Sequence, residues 1–163
     1  MANKSERHRL SLIMATLGQS TDDEKELLTM ITAGIARQWT DGVDIARVVY
    51  NDGEETIINR VNIFRDQCSK RNFDTSVYLD TDDTDTENFE KYLSLAKVIN
   101  PKYLSIPKTF GLDMISEAKK HFKNEMLVGV RVKENDDISD IESYFEIADF
   151  VMVELDSKKI VDI

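Results

Sequence analysis

Short apolar, β-branched runs alternate along this chain with longer stretches in which apolar residues recur every three or four positions. The short runs read as strands: "LSLIMATL" (10–17), "DIARVVY" (44–50), "TSVYLD" (75–80), "YLSIP" (103–107), "MLVGVRV" (126–132) and "FVMVEL" (150–155). The stretches between them read as helices over 22–36, 54–70, 87–98, 111–122 and 138–146, with Ile57, Ile58, Val61 and Phe64 at clear helical spacing in the second. Ser20 or Thr21 offers a cap for the first helix, ahead of an acidic first turn. Strict alternation of strand and helix predicts parallel strands joined by right-handed crossovers, hence an α/β fold. Open doubly wound sheets and closed barrels share that pattern, so periodicity alone does not choose between them.

No Pro-, Gly- or Ser-rich linker divides the 163 residues, which are expected to fold as a single domain over 1–163. Apolar residues make up 41% and charged residues 32%, an ordinary globular balance. The formal charge of −10 repels phosphate backbones and anionic lipid, which argues against direct nucleic-acid or membrane partners. The opening "MANKSERHRLSLIMATLG" is charged through Arg9 and its apolar run is too short for a signal core or a span, so a cytoplasmic location is expected.

Several chemistries find no motif. "TLGQST" has one Gly where a dinucleotide turn wants three and a P-loop wants G-K-S/T. His8, His121 and the single Cys68 do not make a zinc set, and no G-x-S-x-G appears. Six carboxylates fall between Asp80 and Glu90, but a calcium loop started at Asp83 would put Asn88 where Gly is needed and Ser94 where a bidentate Glu is needed.

Six segments resemble, in order, the barrel strands of pyruvate kinase. "RLSLIMATLGQST" is similar to that family's first strand and its T-I/L-G-P turn, and "DGVDIARVVYNDGEE" to its G-x-N-V-A-R-x-N-F-S-H-G. "TSVYLDT" resembles its L-D-T-K-G-P strand, "PKYLSIPKT" its D-x-I/V-A/S-x-S-F-V-R, "LVGVRVKEN" its K-I-E-N strand, and "IADFVMVELD" its D-G-I-M-V-A-R-G-D. The resemblance implies an incomplete TIM-type barrel of about six parallel strands with alternating helices. Counterparts of the lid domain after the third strand, the last two strands and the C-terminal domain are missing.

Carried over residue by residue, the resemblance places Arg47 at the substrate-phosphate arginine, and Asp80 and Thr81 at two potassium ligands. The other two potassium ligands fall on Val49 and Asn51, and the valine offers no side-chain oxygen. The catalytic lysine falls on Arg131 and the magnesium-binding glutamate on Lys133, which inverts the charge that a metal needs. A one-residue gap would instead align Lys133, Glu134 and Asn135 with K-x-E-N, and Asp156 with a second magnesium ligand. The resemblance therefore implies a catalytically inactive, pyruvate kinase-like protein without a cofactor, magnesium or potassium being the alternative.

Three functional readings follow. The first is a non-enzymatic binding or regulatory role through protein association, with itself or a partner, because six strands leave two sheet edges open in "LSLIMATL" and "FVMVEL". Trp39, between the first helix and the second strand, is a candidate interface anchor for it, the alternative being that it packs under the barrel's bottom rim. The second is a small enzyme or sensor with an anion pocket at Arg47, Arg131 and Lys133, the last two alternating with Val130 and Val132 and so sharing one face. The third is an acidic nucleic-acid mimic. The resemblance reads the acidic run itself as the seam where the lid domain would leave and return.

Overall fold

Each of the six apolar runs forms a strand, and the strands lie side by side in chain order. A computed structural model describes residues 12–33, 42–50, 53–81, 85–123 and 125–155. The strands are β1 (Met14–Thr16), β2 (Ile45–Val49), β3 (Ser76–Asp80), β4 (Tyr103–Pro107), β5 (Leu127–Lys133) and β6 (Phe150–Glu154). Every neighbouring pair is parallel, in the order β1-β2-β3-β4-β5-β6. The helices between them are α1 (Glu24–Thr32), α2 (Glu54–Ser69), α3 (Phe89–Ile99), α4 (Leu112–Phe122) and α5 (Ile141–Phe145).

Alternation along the strands sorts their side chains onto two faces. Ala46, Val48, Val77, Leu79, Leu104, Ile106, Val128 and Val130 are buried against the helices. The helices answer with Leu27 and Ile31, Ile57 and Phe64, Leu93 and Ala96, and Ile115 and Ala118, all in the same apolar cluster. Each large aliphatic side chain taken out of water here stabilises the fold by about 1.5–3 kcal/mol.

The sheet is curled. In a flat sheet, strands three places apart lie about 14 Å from one another. Yet the ring of Phe150 on β6 has its centroid 6.0 Å from that of Tyr78 on β3, and Tyr103 of β4 completes the contact at 5.9 Å from Phe150. Gly129 makes the curl feasible, because a Cβ at that position would run into the Phe150 ring. The architecture is an incomplete α/β barrel, with helices outside and a concave inner face, as expected from the sequence.

Local differences have local causes. Asp23, rather than Ser20 or Thr21, caps α1, its Oδ1 accepting from the amides of Lys25 and Glu26 at 2.9 and 3.1 Å. Ser20 and Thr21 sit in a preceding 3-10 turn in which the Thr21 hydroxyl is occupied by the backbone of Gly18. The fifth helix is shorter than its pattern because an Asp137 side chain turns the chain at Ser139 before the helix starts. Trp39, Asn51, His8, Asp82 and Asp83 lie outside the described residues. No helix among the described residues is long and apolar enough to cross a membrane.

Candidate functional site

The concave face carries the polar residues that interrupt the strands. At its centre is Asp80, the last residue of β3, wholly buried. Its Oδ2 accepts from Arg47 Nε at 2.9 Å and Nη2 at 2.5 Å. Its Oδ1 accepts from the Thr81 amide at 2.9 Å and from the Ser105 hydroxyl, and faces Arg131 Nε at 3.6 Å. One carboxylate on β3 thus engages an arginine from β2, an arginine from β5 and a serine from β4. A buried charge is strongly destabilising without such partners, which is why the cluster occurs as a set.

The arginines are held from their far sides as well. Arg47 Nη1 donates to Thr16 Oγ1 of β1 at 3.2 Å, and Arg131 Nη1 donates to Glu154 Oε2 of β6 at 3.2 Å. The polar row therefore runs across the whole half-barrel, from β1 to β6. It sits toward the carboxyl ends of the strands, the face on which barrel enzymes place their chemistry.

Two tyrosines define the site from opposite sides of the sheet. The paired register of β3 and β4 covers Tyr78 with Tyr103 and Leu79 with Leu104. Just beyond it the Tyr92 hydroxyl of α3 lies 3.0 Å from the Leu79 carbonyl and 2.8 Å from the Ser105 carbonyl. It fills the gap where the strands part and fixes the backbone beside Asp80 and at Ser105. Burial pushes its ionisation well above the usual phenol range, with the Asp80 charge adding to the shift. On the concave side, Tyr78 packs against Tyr103 and Phe150 with ring centroids at 6.5 and 6.0 Å. Its buried hydroxyl has no protein hydrogen-bond partner within bonding geometry. Desolvation, and then Asp80, push its pKa up too.

The expected site residues are only partly gathered. Arg47 and Arg131 meet at Asp80, with Thr81 beside them. Lys133 shares the β5 face but lies exposed at the strand end, where its amide donates to Asp136 Oδ2 at 2.7 Å, so its ammonium group stands outside the cluster. Glu134 is exposed, its amide donating to the Glu154 carbonyl at 3.1 Å, and Asp156 lies outside the described residues. Among the described residues no group of three or more His, Cys, Asp or Glu side chains is placed to hold a metal ion. The acidic run is not one feature: Asp80 turns inward, while Asp85 caps a short 3-10 turn through the Glu87 amide at 2.9 Å.

Tyr78, Ser105, Tyr92 and Glu154 were not foreseen as site residues. The signal for two of them is alternation, since Tyr78 must share a face with Asp80, and Ser105 is the polar residue inside "YLSIP". A groove of about 710 Å³ lies elsewhere, between the β1 exit and α2, lined by Leu17, Leu27, Ile58 and the Asp22–Arg60 ion pair. It contains none of the polar row, and the buried charge cluster, not groove size, marks the chemistry here.

No known protein family and no curated protein matches the sequence. Among solved structures, the fold is similar to that of a provisionally assigned phosphonomutase from Burkholderia cenocepacia J2315, with a TM-score of 0.67 and 12% identity. The match covers 94% of this chain and 66% of that one, so the chain spans just under two thirds of that protein's length. These findings overturn the resemblance to pyruvate kinase. The segments that carried it are strand ends and the turns after them, and parallel strands buried on both faces write similar apolar runs in any α/β barrel. The expectation of an inactive, non-enzymatic pyruvate kinase-like protein falls with it, because it rested on that family's missing lid and altered ligands, whereas the structural neighbour carries an enzyme's designation. What the likeness establishes is the fold, an incomplete α/β barrel.

Proposed function

We propose that this chain is a barrel enzyme acting on a small acid that bears a phosphonate, phosphate or carboxylate group, bound at the carboxyl ends of β2, β3 and β5. One observation carries the reading: Arg47 and Arg131 converge on the single buried carboxylate of Asp80. The protein as a whole carries −10, yet this row sets two guanidinium groups against one buried carboxylate, with Glu154 only at the more exposed end. In an acidic protein that repels non-specific polyanions, a small anion is best received at the inner end of this row, where two guanidinium groups share one carboxylate. Arginine forks match the paired oxygens of such groups, and Asp80 holds the buried Arg131 in place while the more exposed Arg47 turns to the ligand. The designation of the structural neighbour supports the same substrate class.

The test is thermal stabilisation by a panel of small phosphonates, phosphate esters and carboxylates, followed by phosphorus NMR of any stabilising phosphorus compound to detect turnover. Saturable stabilisation that disappears in Arg47→Ala is expected. If no member of the panel stabilises the wild-type chain, the reading fails.

Assembly through the sheet edges is a separate proposal, favoured by exposed apolar residues on both outer strands. Ile13 and Met14 at β1, and Val153 and Leu155 at β6, are all exposed. Sedimentation of Met14→Lys and Val153→Lys variants should show a smaller species than the wild type. Identical masses would remove the proposal.

A further inference from the structure

We propose that the Tyr78 hydroxyl is a ligand-contacting donor in this site, and that the bound acid presents to it an acceptor oxygen distinct from the group held by the arginines. The inference rests on the anion-site reading above. Thr16, Arg47 and Tyr78 are direct neighbours in register across β1, β2 and β3, so phenol and guanidinium lie side by side on the concave face. The Tyr78 ring cannot turn away, because Tyr103 and Phe150 pack against it. The Ser105 hydroxyl influences the phenol but gives its own hydrogen to Asp80, and it makes no hydrogen bond of bonding geometry with Tyr78.

Tyr78 is only 3% exposed, and its hydroxyl makes no hydrogen bond to protein. Burying an unsatisfied hydroxyl is a penalty, and a phenylalanine would pack against Tyr103 and Phe150 without it. The hydroxyl is therefore a cost to the folded chain alone and a donor to whatever enters the site. Desolvation and the Asp80 charge keep it protonated, so it can donate but not repel an anion. Of the two arginines, Arg131 is buried and Arg47 is 17% exposed through its side chain. Arg47 is the movable cover: when it turns from Asp80 toward an arriving anion, it opens the way to its neighbour Tyr78. A ligand with one anionic group satisfies only the arginine, whereas one with a second oxygen also reaches the phenol.

The experiment compares methylphosphonate, which has one anionic group, with phosphonoacetate, which has a second acid group, on wild type, Tyr78→Phe and Arg47→Ala. Tyr78→Phe should weaken phosphonoacetate about tenfold, leave methylphosphonate unchanged, and leave ligand-free stability equal or higher. Equal effects on both probes, or none on either, would overturn the assignment while Arg47→Ala still abolishes binding. So would a loss of ligand-free stability in Tyr78→Phe, which would mean that the hydroxyl serves the fold through Ser105 or an ordered water. If neither probe stabilises the wild type, the anion site itself is wrong, and the role of Tyr78 goes with it.

Discussion

Arg131 on β5 faces Asp80 on β3 at 3.6 Å, Nε to Oδ1, across the intervening strand β4. In a flat sheet these strands would stand about 10 Å apart, and the curl brings the two side chains closer across β4. Removing the shared carboxylate should therefore strip two arginines at once. Asp80→Asn keeps the side-chain shape and is expected to cost about 3 kcal/mol or more in denaturant unfolding, because it leaves buried guanidinium uncompensated. Adding Arg131→Met should recover part of that loss, with a coupling energy above about 1 kcal/mol. Strict additivity of the two changes would show that the pair is not formed.

Gly129 and Phe150 make the curl itself testable. A Cβ on Gly129 would collide with the Phe150 ring, which packs against Tyr78 and Tyr103. Gly129→Ala should cost about 1–3 kcal/mol as an overpacked core does. Phe150→Leu in the same chain should lessen the penalty, since a shorter side chain vacates the colliding ring. A Gly129→Ala chain as stable as the wild type would argue that Phe150 lies elsewhere.

How far the sequence reveals this molecule depends on whether a feature is local. Strand β4 has the bounds that its apolar run predicts, β2 is shorter by one residue at each end and β3 by one at its start, because period-two alternation is written in neighbouring residues. That Arg47 and Arg131 are inward-facing charges was legible for the same reason, each lying between apolar neighbours of a strand. That Asp80 lies between them was not, because curl and register decide which strand ends meet. Lys133 shows the limit of alternation: it has the right parity but is the last residue of β5, paired with Glu154 and exposed, and parity says nothing about depth. Tyr92 was invisible as a positioning residue, since a helical tyrosine among Phe89, Leu93 and Ala96 reads only as core.

The two buried tyrosines share a response to base and separate at neutral pH. The fold raises the pKa of both Tyr78 and Tyr92 above the ordinary phenol value of 10.0. Their neutral forms are thus favoured in the folded chain, and this contribution is complete below about pH 10. It is lost as pH rises further, because the unfolded chain ionises first and binds fewer protons. Stability should fall above about pH 10, and each Tyr→Phe change should flatten that fall by up to one proton. At neutral pH the two differ: Tyr92→Phe leaves the Leu79 and Ser105 carbonyls without their donor and should cost about 1–3 kcal/mol, whereas Tyr78→Phe should cost nothing. Phenolate absorbance during alkaline unfolding, with denaturant curves at neutral pH, checks both halves.

Asp22 and Arg60 give the matching experiment at low pH. Arg60 joins the 3-10 turn after β1 to α2, its Nε 2.6 Å from Asp22 Oδ1 and its Nη2 2.8 Å from Oδ2. The hydrogen bond from Arg60 holds the Asp22 carboxyl below its ordinary value of 3.8. A depressed carboxyl contributes stability that is present above that value and lost as pH falls through the folded one. The Asp22 side chain is 43% exposed, so solvent screens the pair and its whole contribution should stay below about 1 kcal/mol. Asp22→Asn should accordingly lower stability slightly at neutral pH, make no difference near pH 2, and lose its effect in high salt. The contrast with Asp80→Asn is the informative part, because both carboxylates bind an arginine through two nitrogens but Asp80 is buried and shared with a second arginine. Similar losses in the two variants would mean that neither burial nor sharing sets the strength of these pairs.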